Sequence, residues 1–124
     1  MKICCGTDII EIMRIKDSID NIGDAFLNKI FTEQEIAYCE SHGKQRYQHY
    51  AARFAAKEAA FKAISEKLSD KYELSWTDYE VINDYKGRPY IKLPKRYLQN
   101  IENIDVSLSH CKEYATANVT ILFK

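Results

Sequence analysis

The sequence predicts an α+β fold in which a largely antiparallel sheet packs against one long central helix. Strand-like runs lie at both ends of the chain, and an alanine-rich stretch from about residue 45 to residue 67 lies between them. Alanine has the highest helix propensity, so this stretch is the clearest helix in the chain. Hairpin-type turns, and not repeated strand–helix–strand units, join the strands of the second half. The 124 residues contain no repeat and no linker, which predicts a single domain over residues 1–124.

The first half of the chain predicts one strand followed by helices. Lys2 to Ile12 is an isoleucine-rich strand, and Met13 to Ile30 has apolar residues at helical spacing, interrupted at Gly23. A new helix then begins after Thr32, because its hydroxyl can cap the amide of Glu35 while the Glu35 carboxylate reaches back to Thr32.

Beyond the central helix, the pattern predicts a hairpin, a short helix and two further strands. The hairpin turns at residues 83–87. The expected elements are strands Tyr79 to Ile82 and Tyr90 to Leu93, a helix within Pro94 to Ile101, and strands Val106 to His110 and Tyr114 to Phe123.

Charge and hydropathy exclude two classes of partner. The chain has 18 basic and 18 acidic residues, and this neutral total argues against general nucleic-acid binding. No apolar run approaches the roughly 20 residues that a membrane span needs. The charge is uneven, since residues 43–62 hold five basic residues and one acid, whereas residues 12–40 hold three basic residues and six acids. An anionic ligand would be attracted to the first of these segments.

The four cysteines show no repeated Cys-x-x-Cys spacing of the kind that marks a metal site. We expect them to be reduced, with at least three packed as small hydrophobic side chains. The N-terminal segment is too short and too polar for a signal peptide, so we expect a cytoplasmic protein. The cysteines are Cys4, Cys5, Cys39 and Cys111.

Two carboxylates stand where core residues would be expected. Glu58 lies on a partly apolar face of the central helix, four residues before Lys62, and a bare carboxylate there is costly unless it is paired or binds a metal. An ordinary i,i+4 ion pair on the helix surface is the competing interpretation. Asp8 interrupts an apolar strand beside Gly6, a residue that often marks a close backbone approach. Asp8 could also lie at a strand end facing water. Together the two carboxylates favour a Mg²⁺ site that leaves positions open for phosphate oxygens.

Other kinds of site find little support in the sequence. His110 ends a strand beside Ser107 and Ser109, but no nucleophile-elbow motif surrounds these hydroxyls. No glycine-rich phosphate loop and no zinc-ligand spacing is present. The pattern by itself therefore indicates a small α+β protein with possible Mg²⁺-dependent phosphate chemistry.

Several segments, taken in order, resemble the holo-acyl-carrier-protein synthase family of 4′-phosphopantetheinyl transferases. Together they cover residues 6–117, and the segment RFAAKEA is the most specific of them. They are GTDIIEI at 6–12 with Arg14 beyond it, FTEQE at 31–35, ARFAAKEA at 52–59 with Lys62-Ala63 beyond it, and VSLSH at 106–110 with Tyr114-Ala115 beyond it.

The resemblance implies the 4′-phosphopantetheinyl transferase fold and a Mg²⁺-dependent reaction. In that reaction, 4′-phosphopantetheine moves from coenzyme A to a serine of an acyl carrier protein, and adenosine 3′,5′-bisphosphate leaves, in support of fatty acid synthesis. The resemblance implies that Asp8 and Glu58 bind Mg²⁺ and that Lys62 meets the phosphates of the leaving group. It further implies that Arg53 and His110 hold the nucleotide end. The general base stays open between Glu58, Asp8 and a metal-bound water.

The resemblance also implies a homotrimer with active sites between neighbouring subunits, and a first helix that docks the acidic carrier protein through Arg14. The chain departs from the family in two places. Residues 64–72 lack the family's glycine-rich loop, which predicts a longer central helix. The first helix is less basic than is usual in the family, with Asn21 and Asp24 beside its cations.

Two other classes of function remain open on the sequence. A non-catalytic binding module could use the same basic segment to hold a nucleotide without Mg²⁺. A phosphohydrolase could use Asp8, Glu58 and Mg²⁺ with water as the nucleophile.

Overall fold

The computed structural model describes residues 1–124 and confirms the α+β class with an antiparallel sheet and a long central helix. None of its helices combines the length and the apolar character needed to cross a bilayer. Short 3₁₀ turns cover residues 43–45, 65–67 and 76–78. The elements in chain order are β1 (Lys2–Glu11), α1 (Ile12–Ile22), α2 (Asp24–Ile30), α3 (Glu33–Glu40), α4 (Arg46–Ile64), β2 (Glu80–Asn83), β3 (Pro89–Lys92), α5 (Lys95–Leu98), β4 (Ile101–His110) and β5 (Tyr114–Phe123).

The main sheet has three antiparallel strands in the order β1-β5-β4, so that the C-terminal strand is central. Asp8 pairs with Ala117, and His110 pairs with Ala115 near the same end of β5. The strands β2 and β3 form a separate two-stranded hairpin. This register brings the Asp8 strand and the His110 strand to opposite sides of one alanine-rich segment of β5.

Helix α4 lies across β1 and β5, and its small side chains allow a very close approach. A Cβ atom added at Gly6 would lie 1.8 Å from the carbonyl oxygen of Ala59. The close backbone approach predicted at Gly6 is therefore present, and no residue but glycine fits there without moving the helix or the strand. The buried alanines of α4 are Ala51, Ala52, Ala55, Ala56, Ala59, Ala60 and Ala63.

Two local sequence signals in the first half of the chain, a helix cap and a glycine, predict helix boundaries that the structure confirms. The Thr32 side chain accepts a hydrogen bond from the Glu35 amide at 3.2 Å, and the Glu35 carboxylate accepts one from the Thr32 amide at 2.9 Å. The predicted interruption at Gly23 is also observed. Its φ of 76° separates α1 from α2, in a conformation that favours glycine.

Three boundaries differ from the sequence-based expectations. The α-helical part of α4 ends at Ile64, and one 3₁₀ turn continues it to residue 67, so the expected longer helix amounts to that single turn. The helix after Pro94 is only one turn long. Strand β4 begins at Ile101, five residues earlier than expected, because pairing with β5 extends along its whole length despite a bulge near Asn103.

The expectation that at least three cysteines pack as small hydrophobes is wrong. Only Cys39 is buried; Cys4 is half-buried, and Cys5 and Cys111 are exposed. Successive side chains of β1 point to opposite faces of the sheet. Cys4 therefore faces α4 and is half-buried, while Cys5 points to the other face and is exposed. All four cysteines are free thiols, as expected.

Candidate active site

Asp8 of β1 and Glu58 and Lys62 of α4 come together where the strand crosses the helix. The Lys62 ammonium lies 3.5 Å from an Asp8 carboxylate oxygen and donates a hydrogen bond of 2.9 Å to the carbonyl of Thr7. Lys62 therefore forms its ion pair with the strand, and the i,i+4 pair with Glu58 is not formed. The ammonium remains about half exposed, and so it can meet a ligand.

The pKa of the Glu58 carboxyl reflects its burial first and the neighbouring charge of Asp8 second. Partial burial raises the pKa of the Glu58 carboxyl above its usual value, and the Asp8 carboxylate raises it further. Lys62 acts in the opposite direction but does not cancel the shift. A bound cation would relieve the repulsion between the two carboxylates, so this corner suits a metal ion.

The donor set fits Mg²⁺ better than a metal that needs a complete protein cage. No third histidine, cysteine or carboxylate joins Asp8 and Glu58 into a larger cluster. Mg²⁺ is commonly bound by one or two carboxylates together with waters and substrate phosphates, whereas structural zinc takes four protein ligands. Two adjacent carboxylates beside a lysine therefore fit a Mg²⁺ ion that also binds phosphate.

A cavity of about 540 Å³ opens on the other side of Glu58. Phe61, Leu74 and Trp76 give it an apolar wall, and the Trp76 ring stacks on Phe54 at 5.0 Å between centroids. Lys71 and Tyr72 belong to the segment where the family's glycine-rich loop is absent, and they line the same cavity. The sequence did not indicate Leu74 and Trp76 as part of this wall, because they come from a turn-rich segment without helical or strand periodicity.

Arg53 is buried and has no carboxylate partner. Only 2% of the residue is exposed, one guanidinium nitrogen donates to the Asn83 side chain at 2.5 Å, and its Nε has no hydrogen-bond partner. The guanidinium lies 4.0 Å from the centre of the Tyr38 ring. A buried cation without a counter-charge is costly, and an anionic ligand would supply that charge.

All three histidines of the chain gather beside Arg53. The rings of His42 and His49 lie 3.8 Å apart, and His110 lies 6.2 Å from His49. Tyr38 contacts both His42 and His49. Of these three histidines, only His110 was predicted from the sequence as a site residue. The position of His49, four residues before Arg53 on α4, is the signal that could have identified it.

The position of Arg14 agrees with a role in contacts to another molecule but adds no further evidence. Arg14 is exposed on α1 and makes no ion pair within the chain, whereas its neighbour Lys16 is paired with Asp20 at 2.5 Å. The structure therefore groups the predicted residues into three places: a carboxylate–lysine corner at Asp8, a histidine–arginine cluster at Arg53, and a solvent-facing helix at Arg14.

Comparison with known proteins supports one family throughout the chain. Residues 4–119 match the model of the ACPS family, 4′-phosphopantetheinyl transferase superfamily. A holo-[acyl-carrier-protein] synthase of Ruminiclostridium cellulolyticum is 44% identical over 98% of this chain and 92% of that protein. One of Protochlamydia amoebophila is 42% identical over 94% of this chain and 95% of that protein.

Solved structures agree with the sequence relatives. The Helicobacter pylori holo-[acyl-carrier-protein] synthase in complex with coenzyme A superposes with a TM-score of 0.83 at 31% identity, over 95% of this chain and 99% of that one. The Bacillus anthracis synthase in complex with CoA (3′,5′-ADP) gives 0.79 at 34% identity, over 95% and 94% of the two chains. The predicted family is thus confirmed, and the chain belongs to the holo-[acyl-carrier-protein] synthase family of 4′-phosphopantetheinyl transferases.

Proposed function

We propose that this enzyme transfers 4′-phosphopantetheine from coenzyme A to a serine of an apo acyl carrier protein in a Mg²⁺-dependent reaction that serves fatty acid synthesis. Adenosine 3′,5′-bisphosphate is the second product. The observation that carries the proposal is the meeting of Asp8, Glu58 and Lys62 at one corner, since two carboxylates and a partly exposed lysine suit a metal-bound diphosphate. The relatives bear the name of this activity, and two related structures contain coenzyme A or its nucleotide.

The residues of the corner have separate tasks in this mechanism. Asp8 and Glu58 hold the Mg²⁺ ion, which neutralises charge on the diphosphate when bound. Lys62, whose side chain is half exposed at this corner, would stabilise the negative charge that grows on the leaving phosphate as the bond breaks. Glu58 is one candidate for accepting the serine proton, because its carboxylate lies at the corner where the diphosphate would bind. Asp8 or a metal-bound water are the other candidates for this step.

The pantetheine arm and the nucleotide of coenzyme A are the other parts of the substrate that this chain must bind. The apolar wall of Phe61, Leu74 and Trp76 beside Glu58 suits the pantetheine arm. Arg53 and His110 suit the phosphate-bearing nucleotide, because the buried guanidinium has no anionic partner of its own. Along the axis of α4, Arg53 precedes Glu58 by five residues, a rise of about 7.5 Å.

A homotrimer with shared sites, and docking of the carrier protein on α1, complete the proposal. The outer face of β1 exposes Ile3 and Ile9, at 66% and 63%. Apolar side chains on an open sheet face favour a contact with another copy of the chain. Arg14 is unpaired and exposed on α1, available to a carboxylate of the carrier protein. We expect the reaction to take place in the cytoplasm.

One incubation separates this function from its alternatives. The protein is mixed with coenzyme A, Mg²⁺ and an apo carrier protein, and the carrier is then weighed by mass spectrometry. A gain equal to phosphopantetheine on the carrier serine supports transfer. Breakdown of coenzyme A without the carrier would indicate a phosphohydrolase, and binding of coenzyme A without Mg²⁺ or turnover would indicate a binding module.

The metal ligands are tested by Asp8→Asn and Glu58→Gln. Each change keeps the shape of the side chain but removes a charge that holds Mg²⁺, so we expect transfer to be nearly abolished while the protein stays folded. Initial rates are measured at limiting Mg²⁺, with the circular dichroism spectrum as the control for folding. Near-normal turnover in either variant would remove that residue from the metal site.

The assembly is tested by sedimentation at the concentration used for the assay. We expect a species of three times the chain mass, and we expect Ile9→Lys to dissociate it and lower the activity together. A fully active monomer would contradict sites shared between subunits.

A further inference from the structure

The histidine–arginine cluster has an unusual charge arrangement that the proposed reaction does not by itself require. Arg53 is almost completely buried. The ionisable groups recorded around it and around each other are Tyr38, Cys39, His42, His49, Lys57 and His110, and the charge of Lys57 is balanced by its ion pair with Glu35. No carboxylate contributes to the shift at His49, and none pairs with Arg53. The cluster therefore has a fixed positive charge and three imidazoles, and it lacks a negative group.

The hydrogen bonding of the three imidazoles indicates which of them are free to bind. His42 uses its Nδ1 with the carbonyl of Tyr38 at 2.8 Å. Neither His49 nor His110 forms a hydrogen bond through a ring nitrogen to another protein group, and His49 is only half-buried. Two imidazoles with unused nitrogens, 6.2 Å apart between ring centres, can both contact one oxyanion placed between them.

We propose that His49 takes up a proton when a phosphate monoester binds between His49, His110 and Arg53, so that this cluster selects doubly charged phosphate. The proposal rests on the proposed function only for the source of that phosphate, which is the 3′-phosphate of coenzyme A. His42 supports His49 by packing against its ring at 3.8 Å between centroids, and Tyr38 contacts both rings.

Proton uptake follows from the environment of His49 without a ligand. Partial burial lowers the pKa of the His49 imidazole to about 4, and the charges of His42, Arg53 and His110 contribute to the same shift. His49 is therefore neutral at pH 7. A phosphate dianion beside the ring favours the charged form and raises this pKa, so binding draws a proton onto His49.

The affinity for phosphate depends on pH because the pKa of His49 differs between the free and the bound protein. Between the low pKa of free His49 and its raised value in the complex, the bound state holds more protons than the free state. Affinity for the phosphate must then increase as the pH falls through that window. The lower limit is about pH 6, where a phosphate monoester itself begins to lose its second charge.

The test is a calorimetric titration with coenzyme A at pH 7 in two buffers that differ in ionisation enthalpy. The difference between the two apparent enthalpies gives the number of protons taken up. We expect net uptake with coenzyme A and none with dephospho-coenzyme A, which lacks the phosphate monoester. Inorganic phosphate serves as a third ligand, which tells a site for any phosphate from one that requires the nucleotide.

The decisive variant is His49→Gln, which keeps a hydrogen-bond donor but cannot be protonated. We expect it to lose the proton uptake and to bind coenzyme A about tenfold more weakly, with the affinity for dephospho-coenzyme A unchanged. Lys95→Gln is the matched control, because it removes an exposed positive charge on α5 and should leave the uptake as in the unaltered enzyme. If His49→Gln does not fold, His42→Gln replaces it, since loss of the stacked ring should reduce the uptake.

Three results would overturn the inference. They are equal proton uptake with dephospho-coenzyme A, unchanged uptake in the folded His49→Gln enzyme, and uptake abolished by His110→Gln but not by His49→Gln. Failure of the proposed function would look different. In that case the unaltered protein would not bind coenzyme A or modify the carrier, while uptake on inorganic phosphate would still support the proton site.

Discussion

Helix α4 carries two lysines, five residues apart, that form ion pairs of opposite character. Lys57 and Glu35 are both 0% exposed, and the ammonium contacts Glu35 at 2.8 Å, the carbonyl of Trp76 at 3.0 Å and the carbonyl of Tyr79. Lys62 is 51% exposed, its contact with Asp8 is 3.5 Å long, and it makes one backbone hydrogen bond. An ammonium has three donors, so Lys57 has none to spare, whereas Lys62 keeps binding capacity for a ligand.

The difference separates a buried ion pair from a partly exposed one on the same helix. Glu35 also accepts hydrogen bonds from the amides of Thr32 and Val81, so the Lys57 pair joins α3, α4 and the segment leading into β2. That segment contains Trp76 and forms a wall of the cavity beside Glu58. The buried pair therefore supports the wall of the cavity from behind, while the Lys62 side chain of the other pair is open to solvent.

The largest effect is expected from Lys57→Met. It leaves Glu35 buried without a counter-charge, so the free energy of unfolding should fall by about 3–5 kcal/mol. Urea denaturation gives this value. The additional change Glu35→Gln should restore part of the loss, because it removes the uncompensated charge. Lys2→Met is the matched control, since it breaks the exposed Lys2–Glu66 pair and should leave the free energy of unfolding almost unchanged. Similar losses for the two lysine variants would contradict the comparison.

For Lys62→Ala we expect a catalytic loss and not a loss of stability. Under the proposed function, Lys62 meets charge that develops in the transition state, so kcat should fall about 10²-fold, which corresponds to about 3 kcal/mol. The affinity for coenzyme A should weaken much less, and the melting temperature should stay nearly constant because the side chain is exposed. Steady-state kinetics, calorimetry and a melting curve on this one variant test all three statements. An unchanged kcat would end the catalytic assignment of Lys62, although the metal site could survive it.

The smallest effect concerns the stability of the Asp8→Asn protein. The partly exposed Asp8–Lys62 pair contributes little, and loss of the Asp8 charge also relieves its repulsion with Glu58. We therefore expect the free energy of unfolding to change by less than about 1 kcal/mol, even though transfer is nearly abolished. A loss as large as that of Lys57→Met would show that Asp8 has a structural role.

Local signals explain why much of the fold was predictable from the sequence. The capping box at Thr32, the glycine at position 23 and the alanine content of α4 each act over a few residues, and each gave the correct element. The early part of β4 was missed because its residues, such as Glu102 and Asn103, have weak strand preference. Pairing with β5 supplies the stabilisation there, and a pattern within one segment does not contain that information.

Some residues of the candidate site could likewise be predicted from the sequence, and others could not. Asp8 and Glu58 could be found because carboxylates interrupt apolar patterns, and the family resemblance connected them. His42 and His49 were missed because they come close to His110 only after three elements pack together. The exposure of Cys5 and Cys111 was missed because residue type alone does not say which face of a strand, or which turn, a thiol occupies.

The close contact at Gly6 restricts which residues position 6 can accept. Cys4, Gly6 and Asp8 point to the same face of β1, and a single methyl group at the middle position would collide with the backbone of Ala59. In a saturation library, position 6 should accept one residue of twenty, while the outward-facing Cys5 and Thr7 beside it should accept many. Since any enlargement there would push β1 away from α4, the same position also fixes the gap between the two carboxylates. The distance between the proposed metal ligands is thus set by the one residue that has no side chain.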